Sequence, residues 1–240
     1  MTEPVTVNLN IPSYYEEPDN GLYRFKRRLT FRKIISIIRK SVKNRETFSL
    51  LEIGCGSGYF LSFLEEMFPG ASLTGIEYDP RLIPVIRGRI KSATVINDNA
   101  EDFDPGNRMF DVIVSLQVIE HLHKPESMLF RVHQHLLPGG IFILTTPNLT
   151  GFGAGTMKAK WGGFRDDHVS LHGFSEWISI LEKNGFTPVY CGSTFFSGIP
   201  LFNRLPLGMI NWMLLFFFGS WKWEHGESFL GVFRKTVVQK

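Results

Sequence analysis

Leu50-Leu51-Glu52-Ile53-Gly54-Cys55-Gly56-Ser57-Gly58-Tyr59-Phe60-Leu61 decides how the chain folds. The apolar run Phe48 to Ile53 is rich in strand formers and stops at a burst of glycines. An apolar face then resumes at helical spacing through Phe60, Leu61, Leu64 and Met67. This reads as a strand, a tight turn and a helix start. Glycine lets the backbone turn sharply and lets a ligand approach without a Cβ in the way. The helix N-terminus beyond it presents unpaired N–H groups and a positive dipole end, which suit a carboxylate or phosphate. A nucleotide-like cofactor is implied, without its identity.

Working outward, a second apolar run from Ala71 to Ile76 ends at Glu77. An acid at the tip of the second strand, about twenty residues beyond the glycines, can accept hydrogen bonds from both ribose hydroxyls. A third short strand, Ala93 to Ile96, runs into Asn97-Asp98-Asn99-Ala100, where an amide or carboxylate can read an adenine amino group. Two more apolar runs follow, Phe110 to Leu116 continuing into Gln117-Val118-Ile119-Glu120-His121, and Ile141 to Thr146 after Pro138-Gly139-Gly140. Strands and helices thus alternate five times between Phe48 and Thr146, the pattern of a parallel sheet with helices on both faces. The glycines are spaced G-x-G-x-G rather than G-x-G-x-x-G, and the chain has no Tyr-x-x-x-Lys pair, so NAD-dependent hydride chemistry is disfavoured.

These motifs, standing in order over residues 45 to 190, resemble the class I S-adenosylmethionine-dependent methyltransferases. Within them the resemblance is to the small-molecule branch that includes the ubiquinone-biosynthesis O-methyltransferases. It implies a doubly wound, Rossmann-like α/β sheet of seven strands with the last antiparallel. It implies S-adenosylmethionine as cofactor, with Gly54, Gly56 and Gly58 passing its methionine part and Glu52 ending the strand. Glu77 would hold the ribose, Asp98, Asn99 and Ala100 would flank the adenine, and Leu116 and Gln117 would line the methionine side. Many relatives carry aspartate where Asn99 stands, so Asp98 is the alternative partner for adenine.

Composition sets broad bounds. The chain has 240 residues, 43% hydrophobic and 20% charged, ample for a core. A net charge of +3 is too mild to argue for nucleic acid. Cys55 and Cys191 lie far apart and suggest no disulfide framework, hence a reducing compartment. The first residues carry Glu3 and Pro4 and no apolar signal segment, so a cytoplasmic location is expected.

Four regions are expected: an arm and basic helix (1–44), the cofactor-binding core (45–196), an apolar insertion (197–228) and the final core strand (229–240). Tyr14 and Tyr15 in the arm can close over the cofactor, or the arm can be a frayed terminus. Helical spacing predicts a helix over 22–43, and from Leu22 to Arg45 there are ten Lys or Arg and no acid. Such a helix can lie on an anionic membrane or simply solvate one face. Pro200 to Trp223 is nearly all apolar but too short when uninterrupted to span a bilayer. It can dip into an interface with its tryptophans, wall a greasy acceptor pocket, form a dimer contact, or pack internally.

The segment after the fifth strand reads as a glycine-rich loop, Gly151 to Gly163, followed by Arg165-Asp166-Asp167-His168. Ser175, with Glu176, is expected to cap the next helix. A neutral imidazole suits deprotonation of an acceptor hydroxyl. His168, oriented by Asp166 or Asp167, is the first candidate base and His121 the second. Catalysis by proximity and orientation alone is the plain alternative. His168 and His172 can meet on a helical turn, but the spacing is not that of a zinc protease and no metal is called for. Lys158, Lys160 and Arg165 can bind an anionic acceptor. The expected function is methyl transfer to a small-molecule acceptor, at oxygen, the acceptor being lipophilic or lipid-linked. The different-class alternative is a membrane-peripheral binding protein that keeps the fold without catalysis. Oligomeric state is left open.

Overall fold

The structure, a computed structural model, describes residues 21–194, 209, 213 and 220–236. The arm with Tyr14 and Tyr15, and the apolar run over 200–219 apart from Met209 and Met213, lie outside the described residues.

Helix α1 (Gly21–Ser41) precedes strand β1 (Ser49–Ile53), α2 (Tyr59–Met67), β2 (Ser72–Glu77), α3 (Ile83–Arg89) and β3 (Thr94–Asn97). Then come β4 (Phe110–Leu116), α4 (Pro125–His135), β5 (Leu136–Pro147), α5 (Phe152–Met157), α6 (Phe174–Lys183), β6 (Phe186–Thr194), β7 (Ser220–Trp221) and β8 (Ser228–Lys235). The sheet order is β3-β2-β1-β4-β5-β8-β6-β7. Strands β1 to β5 pair in parallel, and β8 runs antiparallel to both β5 and β6. The order reverses between β1 and β4, and ligands of such sheets sit outside the strand carboxyl ends at that point.

The alternation of side chains along each strand builds two cores. Leu50, Val112, Val114, Ile141 and Ile143 face α1, α2 and α3, where Ile34, Ile38, Leu61, Leu64 and Ile86 bury. Leu51, Ile53, Ile113, Phe142 and Leu144 face α4 and α6 with Met128, Leu129, Val132, Trp177 and Leu181. The doubly wound expectation holds, with one correction. Eight strands are present among the described residues, not seven, because Ser220–Trp221 pairs with Ser193 and Thr194 at the sheet edge. Two residues carry no alternation that a sequence reading can use.

Local chemistry moves some element ends. Lys43 and Asn44 adopt φ of 52° and 57°, the left-handed conformation that stops a helix. Part of the expected loop after β5 folds as α5. Helix α6 starts at Phe174 rather than being capped by Ser175. There Thr150 Oγ1 accepts from Phe174 N–H at 3.1 Å, and the Glu176 carboxylate accepts from Gly173 N–H at 2.7 Å. A residue 24 positions upstream therefore supplies the cap. Among the described residues no helix is long and apolar enough to cross a membrane.

Trp177 is fully buried in the second core, and its Nε1 has no hydrogen-bond partner. Trp177→Ala is expected to cost ~3–5 kcal/mol of stability. Trp177→Phe should cost far less, because it keeps ring burial and removes the unpartnered donor. Denaturant unfolding of both variants checks the contrast.

Candidate active site

The glycine turn is pinned where β1 ends. Gly54 N–H and Cys55 N–H both donate to the Ile76 carbonyl at 2.9 Å, tying the turn to β2. Gly54, Gly56 and Gly58 have φ of 71°, 53° and 77°. A Cβ at Gly54 would stand 2.4 Å from Val118 Cγ2, and one at Gly58 would stand 2.9 Å from Ile86 Cγ2. Backbone strain and crowding therefore both require glycine at these two positions.

Glu77, at the tip of β2, is buried and accepts from Gly56 N–H at 2.7 Å and Asp79 N–H at 2.9 Å. Burial raises its pKa, against the opposing effect of those two donors. Each carboxylate oxygen keeps a further lone pair for a ligand hydroxyl. Asn97 Nδ2 donates to the Glu77 and Tyr78 carbonyls at 2.7 and 2.9 Å, fixing the tip of β2 against β3. Asp98 accepts from Asn99 N–H and Asp104 N–H, and Asn99 Oδ1 accepts from Glu101 N–H.

Two cavities flank this turn. One, of about 510 Å³, is lined by Gly54, Gly56, Glu77, Asp98, Asn99, Ala100 and Gln117 among others. The second, of about 660 Å³, is lined by residues including Leu116, Gln117, Glu120, His121, Trp161 and His168. Gly54, Gly56, Gln117 and His121 border both, so the cavities meet at the turn. Gln117 holds φ of 56°, a left-handed conformation unusual for a residue with a side chain, right at this junction. Seven of the ten cofactor positions expected from sequence thus gather on the first cavity, and Leu116 lines only the second. Glu52 and Gly58 line neither cavity. Gly58 instead starts α2, and Glu52 is enclosed within β1, where burial and then the charge of Glu77 push its carboxyl up to about 8.

The two candidate bases are brought together. The rings of His121 and His168 meet edge to face with centroids 4.6 Å apart. His121 Nδ1 lies 3.0 Å from the Asp167 carbonyl, and His168 Nδ1 lies 2.7 Å from the Gly163 carbonyl. A carbonyl only accepts, so each Nδ1 donates and each neutral ring keeps Nε2 as acceptor. Burial lowers the pKa of His121 and favours that neutral form. The expected orientation of His168 by an aspartate is corrected: Gly163 performs it, and the Asp167 carboxylate lies 3.4 Å from His121. His168 and His172 share no helical turn, since residues 168–173 are irregular and His172 packs on Trp177.

Two carboxylates escaped the sequence reading. Glu120 is fully buried; its Oε2 accepts from Thr146 Oγ1 at 3.1 Å, and its Oε1 has no partner. Burial pushes this carboxyl up to about 7. Glu227 accepts from Gly153 N–H at 2.8 Å and Trp161 Nε1–H at 2.7 Å, fastening the segment after β5 over the cavity. Position directly before a suspected base was the only signal for Glu120. Nothing local marked Glu227.

Against this geometry stand the relatives. The methyltransferase-domain family matches residues 24–190, and the chain belongs to that family, the class I S-adenosylmethionine-dependent methyltransferases. It is 30% identical over 152 residues to a ubiquinone biosynthesis O-methyltransferase of Cereibacter sphaeroides, covering 58% of this chain and 60% of that protein. To a malonyl-[acyl-carrier protein] O-methyltransferase of Paenibacillus it is 27% identical over 175 residues, covering 65% and 62%. With a Mycolicibacterium smegmatis methyltransferase included, the chain spans 51% to 62% of these relatives' lengths. The fold matches the N-methyltransferase NodS of Bradyrhizobium japonicum, solved with S-adenosylhomocysteine, at TM-score 0.58 and 19% identity over 95% of this chain and 94% of that one. It matches the plantazolicin methyltransferase BpumL, also solved with S-adenosylhomocysteine, at TM-score 0.62 and 17% identity over 94% and 89%.

The family's cofactor is S-adenosylmethionine, and the open backbone of the turn with Glu77 beside it fits an amino-acid nucleoside. Glu77→Ala is expected to weaken S-adenosylhomocysteine binding about tenfold or more, read by calorimetric titration. NAD should give no heat with either protein.

Proposed function

We propose that the chain transfers a methyl group from S-adenosylmethionine to a hydroxyl of a small lipophilic acceptor. The observation that carries this reading is the convergence of Glu120, His121 and His168 on a cavity that meets the cofactor crevice. The cofactor supplies an electrophilic methyl group. The chain must then hold an oxygen nucleophile in line and remove its proton. We assign that proton to Glu120, with Oε1 unpartnered, or to Nε2 of His121 or His168, which accepts when its ring is neutral. The two O-methyltransferase relatives support oxygen as the acceptor atom.

An anionic acceptor is not supported. Lys158 and Lys160 are exposed and do not line the cavity. Arg165 does, but Asp167 holds its Nε and Nη2 at 2.9 and 3.0 Å. Leu116, Pro147 and Trp161 line the cavity and support a lipophilic acceptor, and Phe152, Phe164 and Val169 are exposed on the segment around it. With the basic α1, they also support a protein that works at a membrane surface.

Catalysis that depends on ionised Glu120 should rise as pH increases through about 7, where this carboxyl loses its proton. Glu120→Gln should lower kcat about 10²–10⁴-fold and abolish that limb, while S-adenosylhomocysteine binding persists. The measurement is methyl transfer to a panel of phenols and catechols, followed by release of S-adenosylhomocysteine. A variant with wild-type kcat and pH profile would remove Glu120 from the mechanism.

A second reading is favoured by one observation: donor atoms of Glu120, His121 and His168 all lie within 4.8 Å of one another, close enough to hold a metal ion. A divalent ion there would lower the pKa of an acceptor hydroxyl directly. On this reading a chelator should abolish turnover and added Zn²⁺ or Mg²⁺ should restore it. Unchanged turnover in the chelator leaves proton transfer to the three side chains alone.

A further inference from the structure

We propose that a separate cavity between α1, α2 and α3 binds a phosphate-bearing ligand. The cavity measures about 610 Å³ and shares no lining residue with the cofactor crevice or its neighbour. Three cations line it from three places in the chain: Arg28 on α1, Arg89 at the end of α3, and Lys91 just beyond. Among the described residues the only acid in its wall is Glu66, 3.5 Å from Arg28. The described part of the wall therefore carries a net positive charge, which a dianionic group complements.

The cations are held in place rather than waving in solvent. The Glu65 carboxylate accepts from the N–H groups of Lys91, Ser92 and Ala93 at 2.8, 2.7 and 2.8 Å. That clamp sets the turn presenting Lys91. Arg89 donates to the Ser57 carbonyl and lies over the Tyr59 ring, 3.4 Å from its centroid. Positioning before binding lowers the entropy cost of capturing a ligand. A guanidinium fork matches phosphate geometry, and a lysine adds a compact point charge.

Size and lining narrow the ligand class further. Phe31 and Phe63, with rings 6.0 Å apart, supply an apolar side. Space is open at Gly88, where a Cβ would meet nothing within 4 Å. A phosphoryl group attached to a larger, partly apolar body fits this better than a bare ion. A lipid headgroup and a soluble phosphate ester share that chemistry. Exposed Arg32 and Arg39 continue the positive charge along α1.

The test uses the full chain saturated with S-adenosylhomocysteine, so that anions cannot report on the glycine turn. Calorimetric titration with glycerol 3-phosphate and with pyrophosphate is expected to show saturable binding. The double variant Arg28→Ala/Lys91→Ala should weaken it about tenfold or more, as should Gly88→Leu by filling the open space. Neither variant touches the cofactor crevice, so affinity for S-adenosylhomocysteine should stay unchanged and shows that the variants fold. Flotation with phosphatidylcholine vesicles doped with phosphatidylglycerol separates the sources. Flotation lost in the double variant assigns a lipid headgroup, and soluble binding without flotation assigns a free phosphate ester. Absence of saturable binding to either soluble probe, or equal binding by wild type and variants, overturns the proposal. The outcome does not depend on the methyl-transfer reading.

Discussion

The close approach of Val118 to Gly54 is the constraint on which the crevice depends. With no room for a Cβ, β1 can end directly beneath the segment that follows β4, and the gap at the switch point stays narrow. The same turn is bonded to β2 through Ile76 and to Glu77 through Gly56. Three strand ends are thereby locked into one geometry by backbone hydrogen bonds, the Glu77 carboxylate and the packing of Val118. The side chains at these strand ends are then carried on a hydrogen-bonded frame.

Around this frame the buried acids follow a common rule. Glu77, Glu120 and Glu227 are stabilised by neutral N–H or O–H donors, and the salt bridges found among the described residues include none of them. Glu52 adds a fourth carboxyl, one oxygen of which has no partner. Burial without a countercharge keeps proton affinity high, as at Glu52 and Glu120. The crevice itself is lined by other acids, Glu77 and Asp98 among them, and in their ionised form these favour a ligand bearing positive charge over a neutral one of the same shape. A sulfonium cofactor meets that condition better than its neutral product does.

How much of this could be read from the chain follows from the range of each interaction. The strand–turn–helix around Gly54, the alternating strands and the acid at Glu77 are local patterns, and all were legible. The placing of Asp98, Asn99, Ala100 and Gln117 on one crevice was legible because strand ends share a sheet edge. The meeting of His121 with His168 was not, since 46 residues separate His121 from the Asp167 that also touches it. Glu227 was invisible for the same reason: its partners Gly153 and Trp161 lie 74 and 66 positions away. The helix cap at Phe174 failed locally because Thr150, not the neighbouring serine, reaches it.

That asymmetry has a functional consequence. The crevice at the glycine turn is made by consecutive β–α units, whereas the second cavity is made by cross-links between distant loops. Asn148 Nδ2 donates to the Glu224 and Gly226 carbonyls, and Asn148 N–H donates to the Glu227 carbonyl. Ser193 Oγ donates to the Trp223 carbonyl and accepts from Gly226 N–H. These bonds stitch the end of the apolar insertion to the strand ends of β5 and β6. Glu227 then passes that anchorage on to Trp161, a wall of the second cavity. The shape of the cavity is therefore set through the segment that precedes β8, while the glycine turn is untouched by it. A change in the insertion can alter the second cavity without disturbing the glycine turn, which is how one fold can come to serve many ligands.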